Sequence, residues 1–237
     1  MSPASQIAAN LTLIRENMAA AATRSGRSLA DIRLVGITKY VEPGIARLLF
    51  EAGVTDLGES RPQELWRKAT ALNTLPIRWH FVGHLQRNKI EKTLPVASLI
   101  QSGDRLQLLE AINTAAASQQ RIVDMLLEVH ISADASKQGF APEELPGLLP
   151  VLSQLPNLRI RGLMGMASLS GGSTQARRDF AALRMLRDEL RKNAPRQIEL
   201  TELSMGMSGD YQEAIEEGAT IVRIGSALFE GLNVVES

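Results

Sequence analysis

Two cationic side chains stand where chemistry would need them. Arg223 lies inside Thr220-Ile221-Val222-Arg223-Ile224-Gly225, the most apolar stretch near the C-terminus. An unpaired guanidinium there is costly, so it needs a partner, and a structural carboxylate such as Glu202 or a ligand atom would serve. Lys39 ends the apolar run Ile32 to Thr38. It is either a surface lysine leaving a sheet or an amine that attacks an aldehyde, its neutral form favoured by partial desolvation and neighbouring cations.

Two small turns suit an anion. Gly225-Ser226 offers backbone N–H groups and a hydroxyl at the start of an expected helix, an arrangement that fits phosphate. Ser204-Met205-Gly206-Met207-Ser208 supplies a second hydroxyl-bearing turn, although a plain loop explains either turn taken alone. His80 and His84 are four apart, a ligand spacing on a helix. Arg78 to Gly83 reads instead as a strand entering a turn, so hydrogen-bonded roles are expected there rather than zinc ligation. Walker A, G-x-G-x-x-G after a strand, and G-x-S-x-G are all missing, which disfavours triphosphate, dinucleotide and serine-hydrolase sites.

The elements that must position these residues alternate. Ser2-Pro3 opens a helix whose Ile7, Leu11, Ile14 and Met18 form one apolar stripe. Strand-like runs then follow at Ile32 to Thr38, Val54 to Leu57, Arg78 to Gly83, Val96 to Ile100, Ile122 to Ile131, Leu158 to Met166, Ile198 to Leu203 and Thr220 to Ile224. Helical segments separate most of them, among them one from Pro43 to Gly53, Asp104 to Ala117 and Ala176 to Lys192, with Ser168 to Ser173 reading as a loop. Eight such units in 237 residues predict an α/β fold, a single (β/α)8 TIM barrel over 1–237, with an open doubly wound sheet as the alternative. In a barrel, function gathers where strands end, at Lys39, Glu59-Ser60, His84, Gln101, His130 to Lys137, Met164 to Met166, Ser204 to Ser208 and Arg223 to Ser226.

Composition narrows the classes further. With 26 basic and 26 acidic residues there is no broad attraction to nucleic acid or an anionic membrane. The absence of cysteine removes thiolate catalysis, iron–sulfur ligation and sulfur-rich zinc sites. Met1 to Met18 contains Arg15 and Glu16 and no long apolar run, so the chain is read as mature, soluble and cytoplasmic.

Together these segments resemble the pyridoxal phosphate homeostasis protein family, single-domain relatives of the alanine racemase barrel. The resemblance rests on Trp79-His80-Phe81-Val82-Gly83-His84-Leu85-Gln86-Arg87-Asn88-Lys89, Gly162-Leu163-Met164, and Leu203 to Asp210 continuing through Ala214 to Gly218 into Val222 to Ser226. It implies a PLP fold-type III-like barrel without the racemases' C-terminal β-domain. It also implies pyridoxal 5′-phosphate (PLP) as cofactor, in a Schiff base on Lys39, with phosphate held by Ser204, Gly225 and Ser226 and Arg223 facing the ring nitrogen. Ser60 stands where the family usually has Asn and is carried as a cofactor-contact position. Asp134 and the spacing of Phe229-Glu230-Gly231 also depart from the usual pattern.

The implied role is intracellular PLP homeostasis: reversible binding, buffering or delivery, with PLP-dependent apoenzymes as transient recipients and no turnover. A PLP-dependent racemase or lyase is the alternative, and a Schiff-base aldolase acting on a sugar phosphate a third. A two-base racemase places a tyrosine from its C-terminal domain opposite the lysine, whereas the tyrosines here are Tyr40 and Tyr211 and the chain ends 11 residues after Ser226, so a non-enzymatic monomer is expected. Lys137 is read as a solvated loop lysine or a second amine near the mouth.

Overall fold

The structure, a computed structural model, describes residues 1–132, 138–168, 170–195 and 198–232. Its strands are β1 (Arg33–Ile37), β2 (Asp56–Glu59), β3 (Arg78–Phe81), β4 (Ala97–Gly103), β5 (Val123–Val129), β6 (Leu158–Gly165), β7 (Ile198–Ser204) and β8 (Ile221–Ile224). Each pairs in parallel with the next, and β8 returns to β1 with Gly36 opposite Ile224. The barrel is closed, as the alternation predicts, and the open sheet is not formed.

Parallel strands need crossovers, and helices supply them: α2 (Pro43–Glu51), α3 (Pro62–Ala71), α4 (Ile90–Thr93), α5 (Leu106–Ser118), α6 (Leu145–Leu152), α7 (Gly172–Asn193) and α8 (Tyr211–Glu216). Among the described residues, a single 3-10 turn, Ser226–Leu228, follows β8. The vacant place in the outer ring is taken by α1 (Pro3–Arg24), which packs on α8, α2 and that turn. Ser2 caps α1 through its hydroxyl, 3.2 Å from the Ser5 N–H, and Ile7, Leu11, Ile14 and Met18 are all buried, at about 2 kcal/mol each.

Apolar packing falls into two zones. The larger lies between sheet and helices, while a small one inside the barrel joins Val35, Leu99, Leu126, Met164 and Ile221. The upper interior is polar, which is what positions the site.

Most expected boundaries shift by one or two residues, β3 ending at Phe81 and β5 at Val129 among them, and four departures have a visible cause. β2 begins two residues late because Val54 still belongs to the turn closing α2, its N–H bonded to the Leu49 carbonyl. β4 runs on through Gln101, Ser102 and Gly103, polar or small residues that an apolar-run criterion rejects. α7 starts at Gly172 and so takes the end of the expected Ser168 to Ser173 loop, with Asp179 accepting from the Ser168 N–H and hydroxyl. The helix expected after Gly225 is one 3-10 turn, because α1 already fills the space a longer helix would need.

Candidate functional site at the barrel mouth

Closure of β8 onto β1 brings the two leading positions together. With Gly36 opposite Ile224, Lys39 and Gly225 leave adjacent strands at the same end, and a Cβ on Gly225 would stand 3.4 Å from the Ile37 Cβ. Lys39 lies two residues past β1, in a turn closed by the Val41 N–H on the Thr38 carbonyl. Its side chain is exposed, with Nζ 4.6 Å from the centre of the Tyr40 ring. Of the two readings of this lysine, the structure has the one in which its side chain leaves the sheet exposed to solvent. A groove holding Arg61, Glu64 and Arg67 starts beside it.

The turn is anchored from below by an ion pair that the sequence reading missed. Lys68 of α3 is fully buried and donates to Glu59 Oε1 at 2.5 Å and to the Thr38 carbonyl at 2.6 Å. Thr38 Oγ1 also donates to Glu59 Oε1, at 2.5 Å, while Glu59 Oε2 has no partner among the described residues. The signal was available: Lys68 shares the buried face of α3 with Leu65 and lies four residues before buried Leu72.

Arg223 is buried inside the barrel top. It donates to Ser204 Oγ at 2.6 Å and to the Gly165 carbonyl at 3.0 Å, with no carboxylate at ion-pair distance among the described residues. Glu202 is therefore not its partner; it lies at the opposite end of the strands, accepting from the Thr220 hydroxyl and 3.5 Å from Arg33. Burial lowers the Arg223 pKa to about 10, opposed by the charges of Glu128 and Asp210, so it stays cationic at neutral pH.

Glu128 of β5 is a second residue the sequence reading missed. Burial, with Asp104 reinforcing it and Arg223 and His84 opposing, raises its carboxyl to about 7. A carboxylate inside the apolar run Ile122 to Ile131 is the same signal that singled out Arg223.

The remaining predicted positions divide. Ser204 is fully buried, and its hydroxyl is engaged by Arg223 and by Gln101 Oε1 at 2.6 Å, so in this structure it faces the interior. Ser208 stands on the last turn instead: the Gly225 and Ala227 N–H groups both point to its Oγ, at 3.2 and 3.3 Å. Ser226 is exposed on that turn. Ser60 sits just past β2, its backbone so near Gly83 that a Cβ there would lie 2.0 Å from the Ser60 carbonyl oxygen. His84 Nδ1 meets Asp104 and Gln138, whereas His80 Nε2 meets Asp56, so the two rings do not share a centre. Lys137 and Asp134 lie outside the described residues.

The mouth thus brings together a buried arginine with no carboxylate at ion-pair distance among the described residues, two N–H groups taken up by the Ser208 hydroxyl, and an exposed amine. Residues 9–233 match the profile of the family described as alanine racemase, N-terminal domain. An alanine racemase of Clostridium difficile shares the fold, with a TM-score of 0.68 at 17% identity, the match covering 84% of this chain and 51% of that one.

The chain belongs, within that class, to the pyridoxal phosphate homeostasis protein family. The relative of that name from Aquifex aeolicus is 39% identical over 219 residues, 92% of this chain and 95% of its own. PipY of Synechococcus elongatus, solved with PLP bound, superposes with a TM-score of 0.83 at 34% identity, covering 94% of this chain and 99% of PipY.

Proposed function

We propose that this protein binds PLP reversibly at the barrel mouth, in a Schiff base with Lys39, and serves PLP homeostasis by buffering or delivering it without turnover of its own. The observation that carries the reading is Arg223, a fully buried cation at the mouth whose partners are a hydroxyl and a carbonyl. Bound there, PLP supplies an aldehyde for the amine and an electron-withdrawing ring. The Gly225–Ala227 turn, with Ser208 and Ser226, receives the phosphate; Ser204 acts on the same ligand through Arg223, and Ser60 borders the mouth. Arg223 facing the ring nitrogen keeps it unprotonated, since a fixed positive charge opposes a second, and electron withdrawal by the ring is then weak.

The same geometry supports a non-catalytic role. Tyr211 is buried at the head of α8, and Tyr40 lies beside the Lys39 amine rather than across from it, so neither is placed as the second base of a racemase. Apoenzymes that take up PLP are the proposed transient partners, the cytoplasm the proposed compartment and a monomer the proposed state. Light scattering on the eluting protein tests the last.

The decisive experiment traps the adduct. Wild-type protein incubated with PLP should develop a yellow band that borohydride bleaches, with the label on the Lys39 peptide. Lys39→Ala should remain colourless, and Arg223→Glu should lose at least tenfold in retention with its fold intact. Label found solely on another lysine would overturn the site, and sustained amino-acid racemisation abolished by Lys39→Ala would overturn the non-catalytic role.

A further inference from the structure

Below Arg223 the barrel interior holds a continuous line of buried polar groups. Arg223 Nη1 lies 2.6 Å from Ser204 Oγ, Ser204 Oγ lies 2.6 Å from Gln101 Oε1, and Gln101 Nε2 lies 2.9 Å from His80 Nδ1. His80 Nε2 then lies 2.9 Å from Asp56 Oδ1. The line runs from β8 through β7, β4 and β3 to β2, from the mouth to the opposite end of the strands. Every member is at most 4% exposed.

The chemistry of the two ends fixes the direction of every bond. A guanidinium can only donate, so Ser204 Oγ accepts from it and must send its own proton to Gln101 Oε1. That orientation turns the Gln101 amide N–H toward His80 Nδ1, which must be a bare acceptor. The ring proton therefore sits on Nε2 and is given to Asp56, a carboxylate that only accepts. Reversing Gln101 would leave the Ser204 hydroxyl with two donors and no acceptor, and would demand a proton on His80 Nδ1. Burial lowers the His80 pKa, against the opposing pull of Asp56 and with Arg33 and Arg78 reinforcing it, which agrees with a neutral ring. Asp56 is held well below the usual carboxylate range: its own burial would raise it, but hydrogen bonds from His80 and Arg78 outweigh that.

We infer that Gln101 and His80, anchored on Asp56, are positioning residues for Arg223: they lock the Ser204 hydroxyl as its acceptor and so fix where the guanidinium stands at the mouth. The inference deepens the PLP reading, because the arginine it positions is the proposed partner of the ring nitrogen. Its structural core is nevertheless present without ligand.

The chain has three histidines, so ring-nitrogen NMR on cofactor-free protein reads the His80 tautomer directly. The expected result is a neutral ring protonated at Nε2, with slowly exchanging Arg223 guanidinium protons. Gln101→Glu, which keeps the acceptor for Ser204 but removes the donor to His80, should convert His80 to the doubly protonated form. Gln101→Leu should speed Arg223 proton exchange at least tenfold and weaken PLP binding about tenfold, as expected for one lost hydrogen bond in a closed line. An Nδ1-protonated His80 in the wild type, or Arg223 exchange unchanged in Gln101→Leu, would overturn the inference. Failure of the protein to bind PLP, with the tautomer and exchange as expected, would sink the proposed function and leave the positioning line standing.

Discussion

Glu128 carries the pH dependence that matters most near neutrality. Its carboxyl titrates at about 7 in the folded protein against 4.5 as the ordinary value. Between those limits the folded state holds a proton that the unfolded chain has released, so the contribution of Glu128 to stability is present below about 4.5 and is lost as pH rises through 7. Glu128→Gln should therefore gain stability relative to wild type between pH 5 and pH 8, by about 3 kcal/mol at most. Urea midpoints of the two proteins across that range check it, and parallel profiles would contradict it. Lys68 makes a contrasting case. Removing its amine in Lys68→Met leaves Glu59 charged and fully buried, which should cost about 3–5 kcal/mol. Adding Glu59→Gln should recover part of that loss, because the penalty lies in the stranded carboxylate; a double variant no more stable than the single one would place the cost in packing.

At the scale of elements, α1 and the turn after β8 behave as one unit. Asn10 Nδ2 donates to the Leu228 carbonyl at 3.1 Å and to the Glu230 carbonyl at 3.0 Å, tying the N-terminal helix to the segment that carries Gly225 and Ser226. Asn10→Ala should cost about 1 kcal/mol for each bond lost. Amide exchange at Leu228 and Phe229, whose N–H groups close the 3-10 turn, should rise while β3 and β4 stay protected. Strands and helices with an apolar face were legible in the sequence because burial on one side leaves a period of two or 3.6. The polar interior was not, since Gln101 and Ser102 in β4 and, at the lower end of the barrel, Asp56 in β2 are polar yet buried. Lys39, Arg223, Gly225 and Ser226 were legible by type and place, and the register brings their segments together. The roles of Ser208, Glu128, Gln101 and Lys68 needed the structure, because each depends on a partner from a different strand or helix.

For the molecule as a whole, the outer ring is completed by α1, the helix that precedes the first strand. The bond between Asn10 and Leu228 spans 218 positions. Contacts of such separation are slow to form, because the intervening chain must surrender its freedom before they give anything back. On a ribosome, the stripe of Ile7, Leu11, Ile14 and Met18 is made before β1 and finds its final bed on α8 and the last turn only after all eight strands have been made. Until then, of α8, α2 and the last turn, α2 alone is there to cover that greasy flank, and the uncovered part is surface open to chaperones or to aggregation during biogenesis.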